Sequence, residues 1–571
     1  MVGEVESKIF ECIDNKKSFI LDAGAGSGKT WTLIQSLEYL IKNRNAELKR
    51  KNQNIICITY TNVAKDEIIE RLEHNELIVV STIHQFLWSF IKRYQKELKK
   101  ELIEHIEQKI NDKNEKLNKV RNKTTKSYQG NLEKKEKYEN GLKELKNYNK
   151  KINYQEYSSY KNGIISHSDI LIFSENLFSK YPLINKIFAD CYPIVFIDEY
   201  QDTDKKVIKI FLEYLLKEKI TIGLFGDKMQ NIYDEGIGKI ENENLERITK
   251  EDNYRCSQSV INLLNKIRND ITQKPSAKNS EIEGSYKFYY KEDSDFNLDS
   301  FEENTLRDKY SWNIKDSEFK VLYLTHKLIA KRNDYLKLIE LYSKHNNEDY
   351  LTKNKNQRGR CAYTDFLFDI ENIIDLYKNS KIQELLKKLK DNNDFKLQTL
   401  DDKKTLKDIL DKLKNERENL TIGEVITLIF DEKLLRKREK MKEFDLNENK
   451  KEFLEKLMKI EYKEFINCYE VQMENTPYST KHGTKGKEFD NVLVVLEKHK
   501  WNKYNFDKYF KNLNNSDMNN DSIYNRTKNL FYVSCSRAKK NLVVLCLDKL
   551  GDEAIKNVKS MFGEENFIKL E

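Results

Sequence analysis

Short apolar runs recur along the chain at Phe19–Leu21, Ile55–Ile58, Leu77–Val80, Ile194–Ile197, Ile222–Phe225, Val321–Leu324, Val492–Leu496 and Leu542–Cys546. Runs this short and this uniformly apolar read as strands buried on both faces, the signature of a parallel sheet. Helical patterns separate many of them. After the first run, Trp31, Leu33, Ile34, Leu37 and Leu40 recur at helical spacing. Alternation of this kind predicts an α/β fold with parallel sheets.

Two stretches break the alternation. Residues 93–154 are rich in lysine and glutamate, with one apolar stripe through Ile103, Ile106, Ile110, Leu117 and Val120. A second stripe runs through Tyr138, Leu142, Leu145 and Ile152, after a polar turn near NKTTKSYQGN. Together they predict an antiparallel helical hairpin, read as a structural arm. Residues 346–471 are also helical in pattern and charged, and carry no recognisable chemistry.

Composition narrows the class only a little. The 571 residues suggest several domains, and 34% charged against 38% apolar residues is a polar but globular balance. No apolar run approaches the roughly 18 residues of a membrane span, and the N-terminus lacks the apolar core of a signal peptide. The reading is therefore cytoplasmic. Eight scattered cysteines with no CxxC pair predict reduced, mostly buried thiols and no metal cluster. A net charge of +8 permits nucleic-acid binding without requiring it. Lysine outnumbers arginine roughly five to one, so an arginine inside a motif stands out.

The chemistry begins at Ala23, Gly24, Ala25, Gly26, Ser27, Gly28, Lys29 and Thr30, between a strand and a helix. This is a phosphate-binding loop with Ala23 in the place of the first glycine. The amides of Gly26 to Thr30 would form an anion nest at a helix N-terminus. Lys29 would reach the β- and γ-phosphates, and the Thr30 hydroxyl would bind Mg²⁺. Further on, the apolar run at Ile194–Ile197 ends in Asp198 and Glu199. Asp198 would hold the metal and Glu199 would orient and deprotonate an attacking water. Loop and acid pair together predict an ATPase using ATP and Mg²⁺.

Eight ordered motifs resemble those of superfamily 1 DNA helicases of the UvrD/Rep type. They are AGAGSGKT (23–30), TYTNVAKDEIIERL (59–72), STIHQF (81–86), IDEYQD (197–202), GLFGDKMQNIY (223–233), NYRCS (253–257), TKHGTKGKEFDNV (480–492) and FYVSCSRAKKNL (531–542). The resemblance implies two tandem RecA-like P-loop domains with two mainly helical inserted accessory domains. The boundaries would be 1–92 and 155–249 for domain 1A, 93–154 for 1B, 250–345 and 472–571 for 2A, and 346–471 for 2B. It implies a 3′-to-5′ helicase or translocase on single-stranded or tailed double-stranded DNA. It also implies roles position by position. Tyr254 would stack on adenine, Glu488 would contact the ribose, and Gly486 would allow close backbone approach. Arg255 and Arg537, from the second RecA-like domain, would reach the γ-phosphate, and Gln230 would sense it. Tyr60, Asn62, His84, Tyr233 and His482 would contact the DNA strand.

Three features depart from the family pattern. The upstream adenine-reading glutamine has no counterpart in EVESKIFECIDN (4–15). Asp234 and Glu235 follow Tyr233 where the family carries an aromatic and a basic residue, which weakens the expected grip on DNA. Lys487 replaces an apolar residue. More loosely, the compact size and short first insertion resemble the helicase-like subunits of Gabija anti-phage systems. That implies a separate TOPRIM/OLD-like nuclease as partner, with defence or DNA repair as the setting. The alternative is a DNA- or nucleotide-sensing subunit that regulates such a nuclease and unwinds little by itself.

Overall fold

The computed structural model describes residues 3–120, 122–155, 158–232, 236–277, 279–292, 296–314, 316–345, 351, 361–392, 399–446, 448–480, 486–497, 503–513 and 515–571. These form two compact units. One comprises Met1–Gly284 with Asn515–Ser536, the other Ser285–Asn514 with Arg537–Glu571.

The first unit is built on strands β1 (Phe19–Ala23), β2 (Ile55–Thr59), β3 (Ile78–Thr82), β4 (Ile194–Asp198), β5 (Thr221–Gly226) and β6 (Glu246–Lys250). They lie in the order β3-β2-β4-β5-β1-β6, and every pairing is parallel. The apolar runs of the four inner strands are buried on both faces, as parallel packing between helical layers demands, whereas the edge strand β3 buries Ile78 and exposes Val79. β6 is the other exception. It sits at the sheet edge with the sequence ERITK and only Ile248 and Lys250 buried, so no continuous apolar run announces it.

The predicted hairpin is present as helices Gln95–Lys119 and Lys126–Lys146. Leu98, Leu102, Ile106 and Leu145 are buried in the core that also covers one sheet face. Polar anchors fix it. The buried Glu101 carboxylate accepts from Lys180 Nζ at 2.7 Å and Asn176 Nδ2 at 2.8 Å, both on helix His167–Lys180. Asp169 on the same helix accepts from Ser158, Tyr160 and Ser166, and faces His105 at 3.5 Å.

The second unit holds β7 (Ser285–Tyr290), β8 (Phe319–Tyr323), β9 (Tyr478–Thr480), β10 (Phe489–Leu496), β11 (Ala538–Cys546) and β12 (Phe567–Lys569). Their order is β9-β8-β10-β11-β7-β12, again all parallel. Residues 361–472 among those described are mainly helical, and the buried Arg417 is held bidentately by Glu371 at 2.9 and 3.2 Å. Seven cysteines are buried, Cys191 is half-buried, and all eight are free thiols. No helix among the described residues is long and apolar enough to cross a membrane.

Glu302 makes a testable strain point in the second unit. It is buried beside Arg332, Asp299 and the Tyr478 hydroxyl, and desolvation outweighs the guanidinium, pushing its carboxyl up to about 7. Because the folded value lies above the unfolded one, its contribution to stability is complete below about pH 4.5 and is lost as pH rises through about 7. Glu302→Gln is expected to raise the denaturation midpoint of this unit at pH 8 and to leave it nearly unchanged at pH 5, read by urea titration at both pH values.

Candidate nucleotide-binding site

Parallel pairing collects the motif residues along one edge. In register, Asp22 faces Gly226 on one side and Thr249 on the other, Ala23 faces Lys250, and Asp198 faces Phe225. The carboxyl ends of β1, β4, β5 and β6 therefore deliver the phosphate loop, the acid pair, the Asp227–Gln230 turn and Lys250 to the same rim. This is the rim at which open α/β sheets bind ligands.

The loop between β1 and helix Lys29–Arg50 is tightly wound. Gly26 and Gly28 have φ of 77° and 76°, a left-handed backbone that glycine adopts without strain. Lys29 is buried and donates to the carbonyls of Ala23 at 3.2 Å and Gly24 at 3.4 Å. Other segments of the first unit hold the loop from outside. Ala25 N–H donates to the Tyr532 hydroxyl at 3.1 Å, and its carbonyl accepts from Asn253 Nδ2 at 3.0 Å and Gln273 Nε2 at 2.9 Å. The Tyr254 amide donates to Gly26 O at 2.8 Å. Side chains crowd the loop so closely that a Cβ on Gly24 would lie 2.3 Å from Gln273 Nε2.

Asp198 ends β4 fully shielded, and burial together with the neighbouring Glu199 carboxylate pushes it up to about 7, against the pull of Lys29. Its carboxylate accepts the Glu199 amide at 3.0 Å. Glu199 itself has φ of 50°, a left-handed conformation unusual for a residue with a side chain. That turn sends its carboxylate to Gln201 Nε2. Gln201 in turn accepts the Asp227 amide at 3.1 Å through Oε1. Asp227 receives Gln230 Nε2 at 3.1 Å and Arg268 Nη2 at 3.3 Å, and Arg268 Nη1 donates to the Tyr532 hydroxyl at 2.7 Å. A continuous chain of hydrogen bonds thus runs from Glu199 through Gln201, Asp227, Arg268 and Tyr532 to the phosphate-loop amide of Ala25.

The residues suit a magnesium–triphosphate group. The Ser27 hydroxyl is buried in the loop with no hydrogen-bond partner, as a phosphate-facing donor would be. Thr30 and Asp198 supply hard oxygen ligands of the type magnesium takes. A cation would also relieve the crowded carboxylates of Asp198 and Glu199.

A model of the UvrD/REP helicase N-terminal domain matches residues 5–250, and one of the viral superfamily 1 RNA helicase core matches 178–326. The Gabija protein GajB of Bacillus cereus is 32% identical, over 97% of this chain and 96% of that protein. The chain belongs to the UvrD/REP helicase family. ATP-dependent DNA helicases PcrA are more distant: that of Staphylococcus epidermidis is 25% identical over 54% of this chain, and that of Staphylococcus aureus 25% over 48%. The chain spans 46% and 41% of the length of those two helicases. UvrD/REP membership makes this an ATP-using, DNA-binding enzyme of the helicase type.

The remaining expected residues of the UvrD/REP pattern are distributed as follows. Tyr254 is 49% exposed beside Gly28. Arg255 donates to the Ser536 carbonyl at 3.3 Å and lies in the first unit. The family resemblance implies the second RecA-like domain for it instead. It packs with the first because Asn253, Tyr254 and Gln273 bond to the loop backbone. Gly486, with φ of 90°, Glu488 and Arg537 belong to the second unit. There the buried Arg537 donates to Lys487 O at 3.2 Å. Of the expected DNA contacts, Tyr60 is 43% exposed just beyond β2, Asn62 opens helix Asn62–Arg71, and His84 stacks on His167 with ring centroids 4.7 Å apart. Tyr233 and His482 lie outside the described residues, as do Asp234 and Glu235.

Motif reading missed Asn253, Arg268, Gln273 and Tyr532 as loop supports, and Asp227 as the hub of the network. Asn253, Asp227 and Tyr532 sat inside quoted motifs without an assigned role. Arg268 had one available signal, its scarcity as an arginine in a lysine-rich chain.

Proposed function

We propose that this protein is a DNA-dependent ATPase that couples Mg–ATP hydrolysis to 3′-to-5′ movement on single-stranded DNA, working in anti-phage defence beside a separate TOPRIM/OLD-like nuclease. The carrying observation is the acid pair Asp198 and Glu199 at the end of β4, on the same sheet edge as the phosphate loop, with the Lys29 charge acting on Asp198. In this reading the amides of Gly26 to Thr30 and the Lys29 ammonium hold the phosphates. Thr30 and Asp198 hold the metal, which neutralises charge on the triphosphate. Glu199, oriented by Gln201, takes the proton of the attacking water. Arg255, in the unit that carries the loop, supplies planar positive charge to the transferred phosphoryl group. Gln230, one hydrogen bond from Asp227 and two from Gln201, reports on the γ-phosphate. Tyr60, Asn62 and His84 contact the strand.

The defence setting is supported by the likeness to Gabija protein GajB along nearly all of both chains. One sequence feature favours a second reading, a subunit that senses DNA or nucleotide and regulates the nuclease. Asp234 and Glu235 stand beside Tyr233, where two negative charges repel a phosphate backbone.

Single-stranded DNA is expected to stimulate ATP turnover several-fold, and a 3′-tailed duplex is expected to be opened in preference to a 5′-tailed one. Phosphate release with and without oligonucleotide, and strand separation on the two substrates, are the measurements. Turnover indifferent to DNA would sink the motor. Strong stimulation without strand separation would favour the regulatory reading.

A further inference from the structure

A second line of contacts ties the Glu199 turn to the phosphate loop, along a different route from the Gln201–Asp227 network. Tyr200 follows Glu199 directly and is buried. Its ring leaves the end of β4 and lies over the end of β5, where a Cβ on Gly226 would come within 2.5 Å of Tyr200 Cδ1. Its hydroxyl donates to Asp22 Oδ1 at 2.5 Å, near the end of β1. The other Asp22 oxygen accepts from Arg247 Nη1 on β6 at 3.2 Å, and Arg247 Nη2 donates to the Ile240 carbonyl. Strands β4, β5, β1 and β6 are consecutive in the sheet, so one strap crosses four parallel strands at their carboxyl ends.

Packing alone does not call for these groups. A phenylalanine would fill nearly the same volume, and a buried hydroxyl gains nothing over it without a partner. Asp22 ends the apolar run Phe19–Leu21 one residue before the loop begins at Ala23. The Arg247 side chain is 45% exposed, so its ion pair with Asp22 adds little stability. What the strap holds is a direction. Glu199 has φ of 50°, a conformation that a side chain resists and that persists where its surroundings fix the turn. Gln201 fixes the turn on one side through the Asp227 amide at 3.1 Å. The Tyr200 hydroxyl is the other fixed point.

We propose that Tyr200, through Asp22, is a positioning residue that sets where the Glu199 carboxylate stands relative to the phosphate loop. This rests on the ATPase reading. The bond joins the residue after the base to the residue before the loop, two segments 178 positions apart in sequence. It therefore sets the base against the phosphates with a single contact. Turnover depends steeply on such placement, whereas affinity depends on the loop amides and Lys29.

The test compares the full chain with Tyr200→Phe, Asp22→Asn, Asp22→Leu and the pair Tyr200→Phe with Asp22→Leu. The readouts are ATP turnover, affinity for a fluorescent ATP analogue, and hydrogen exchange of residues 198–203 in the nucleotide-free protein. Tyr200→Phe is expected to lower kcat about tenfold, to leave affinity within about twofold, and to speed exchange of that segment about fivefold. Asp22→Asn keeps an oxygen acceptor for the phenol, so its kcat should stay within about threefold of the parent. The pair should be no slower than Asp22→Leu, because both changes remove the same bond. A Tyr200→Phe chain whose kcat stays within about twofold of the parent, or whose affinity falls in step with kcat, overturns the assignment. So do unchanged exchange at 198–203, an Asp22→Asn chain as slow as Asp22→Leu, and single losses that multiply in the pair. Asp22→Leu decides from the far end of the bond if Tyr200→Phe does not fold: slowed turnover at parent affinity supports the assignment, and parent turnover overturns it. A parent that hydrolyses no ATP overturns the ATPase reading and this inference with it, whereas a parent no faster than Tyr200→Phe overturns this inference alone.

Discussion

Glu199→Gln is expected to lower ATP turnover about a thousandfold while leaving nucleotide affinity within about threefold. The substitution is nearly isosteric, so the left-handed backbone at φ 50° and the contact to Gln201 can persist. What disappears is the basic oxygen proposed to take the proton from water. A general base contributes about 10²–10⁴-fold, or roughly 3–5 kcal/mol of barrier at 1.36 kcal/mol per tenfold. Affinity is expected to be spared because, in the proposed site, loop amides and Lys29 would hold the phosphates and Glu199 would not. Phosphate release under saturating ATP, paired with a titration of a fluorescent analogue, separates the two effects. Turnover within tenfold of the parent would remove Glu199 from the role of base. Loss of affinity in step with turnover would mean the carboxylate serves binding instead.

Arg268→Met is expected to destabilise the first unit by about 3–5 kcal/mol, the largest stability effect of any single substitution considered, because it strands a buried carboxylate. Asp227 and Arg268 side chains are both 0% exposed, and Arg268 also holds Asp270 at 2.8 Å and the Tyr532 hydroxyl. Asp270 keeps Lys228 at 3.2 Å, so it loses less than Asp227. Asp227 retains only neutral donors, the Met229 amide and Gln230 Nε2. Urea denaturation of the parent, Arg268→Met, Asp227→Asn and the double variant forms the measurement. The double variant should recover a large part of the loss, since no charge is left unpaired. If Arg268→Met shifts the midpoint no more than a change at the exposed Lys274, the network carries no stability. The same substitution removes the link between Asp227 and the loop amide of Ala25, so turnover should fall even in conditions where the protein stays folded.

Much of the fold and of the site was legible in the amino-acid sequence. All eight apolar runs became strands, since a strand buried on both faces needs only local apolarity to be recognised. The phosphate loop and the acid pair were equally readable, because each is a contiguous segment whose chemistry depends on near neighbours. β6, β7, β9 and β12 were not. β6, β9 and β12 lie at sheet edges and are short or polar on one side, and β7 (SYKFYY) draws its apolar character from tyrosines interrupted by Lys287. Nothing local distinguishes such segments from a loop.

The sequence by itself determined the fold class, the family, the phosphate loop and which acids end β4. Tertiary structure alone decided how that loop is held and what surrounds it. The Ala25 amide meets a tyrosine 507 positions away, Arg268 meets Asp227 41 positions away, and Lys250 meets Glu6 across 244. The reason is physical. A backbone preference is set by a residue and its neighbours, whereas a buried charge or an unpaired amide is satisfied by whatever the fold brings within about 3 Å, and that partner can come from anywhere in the chain.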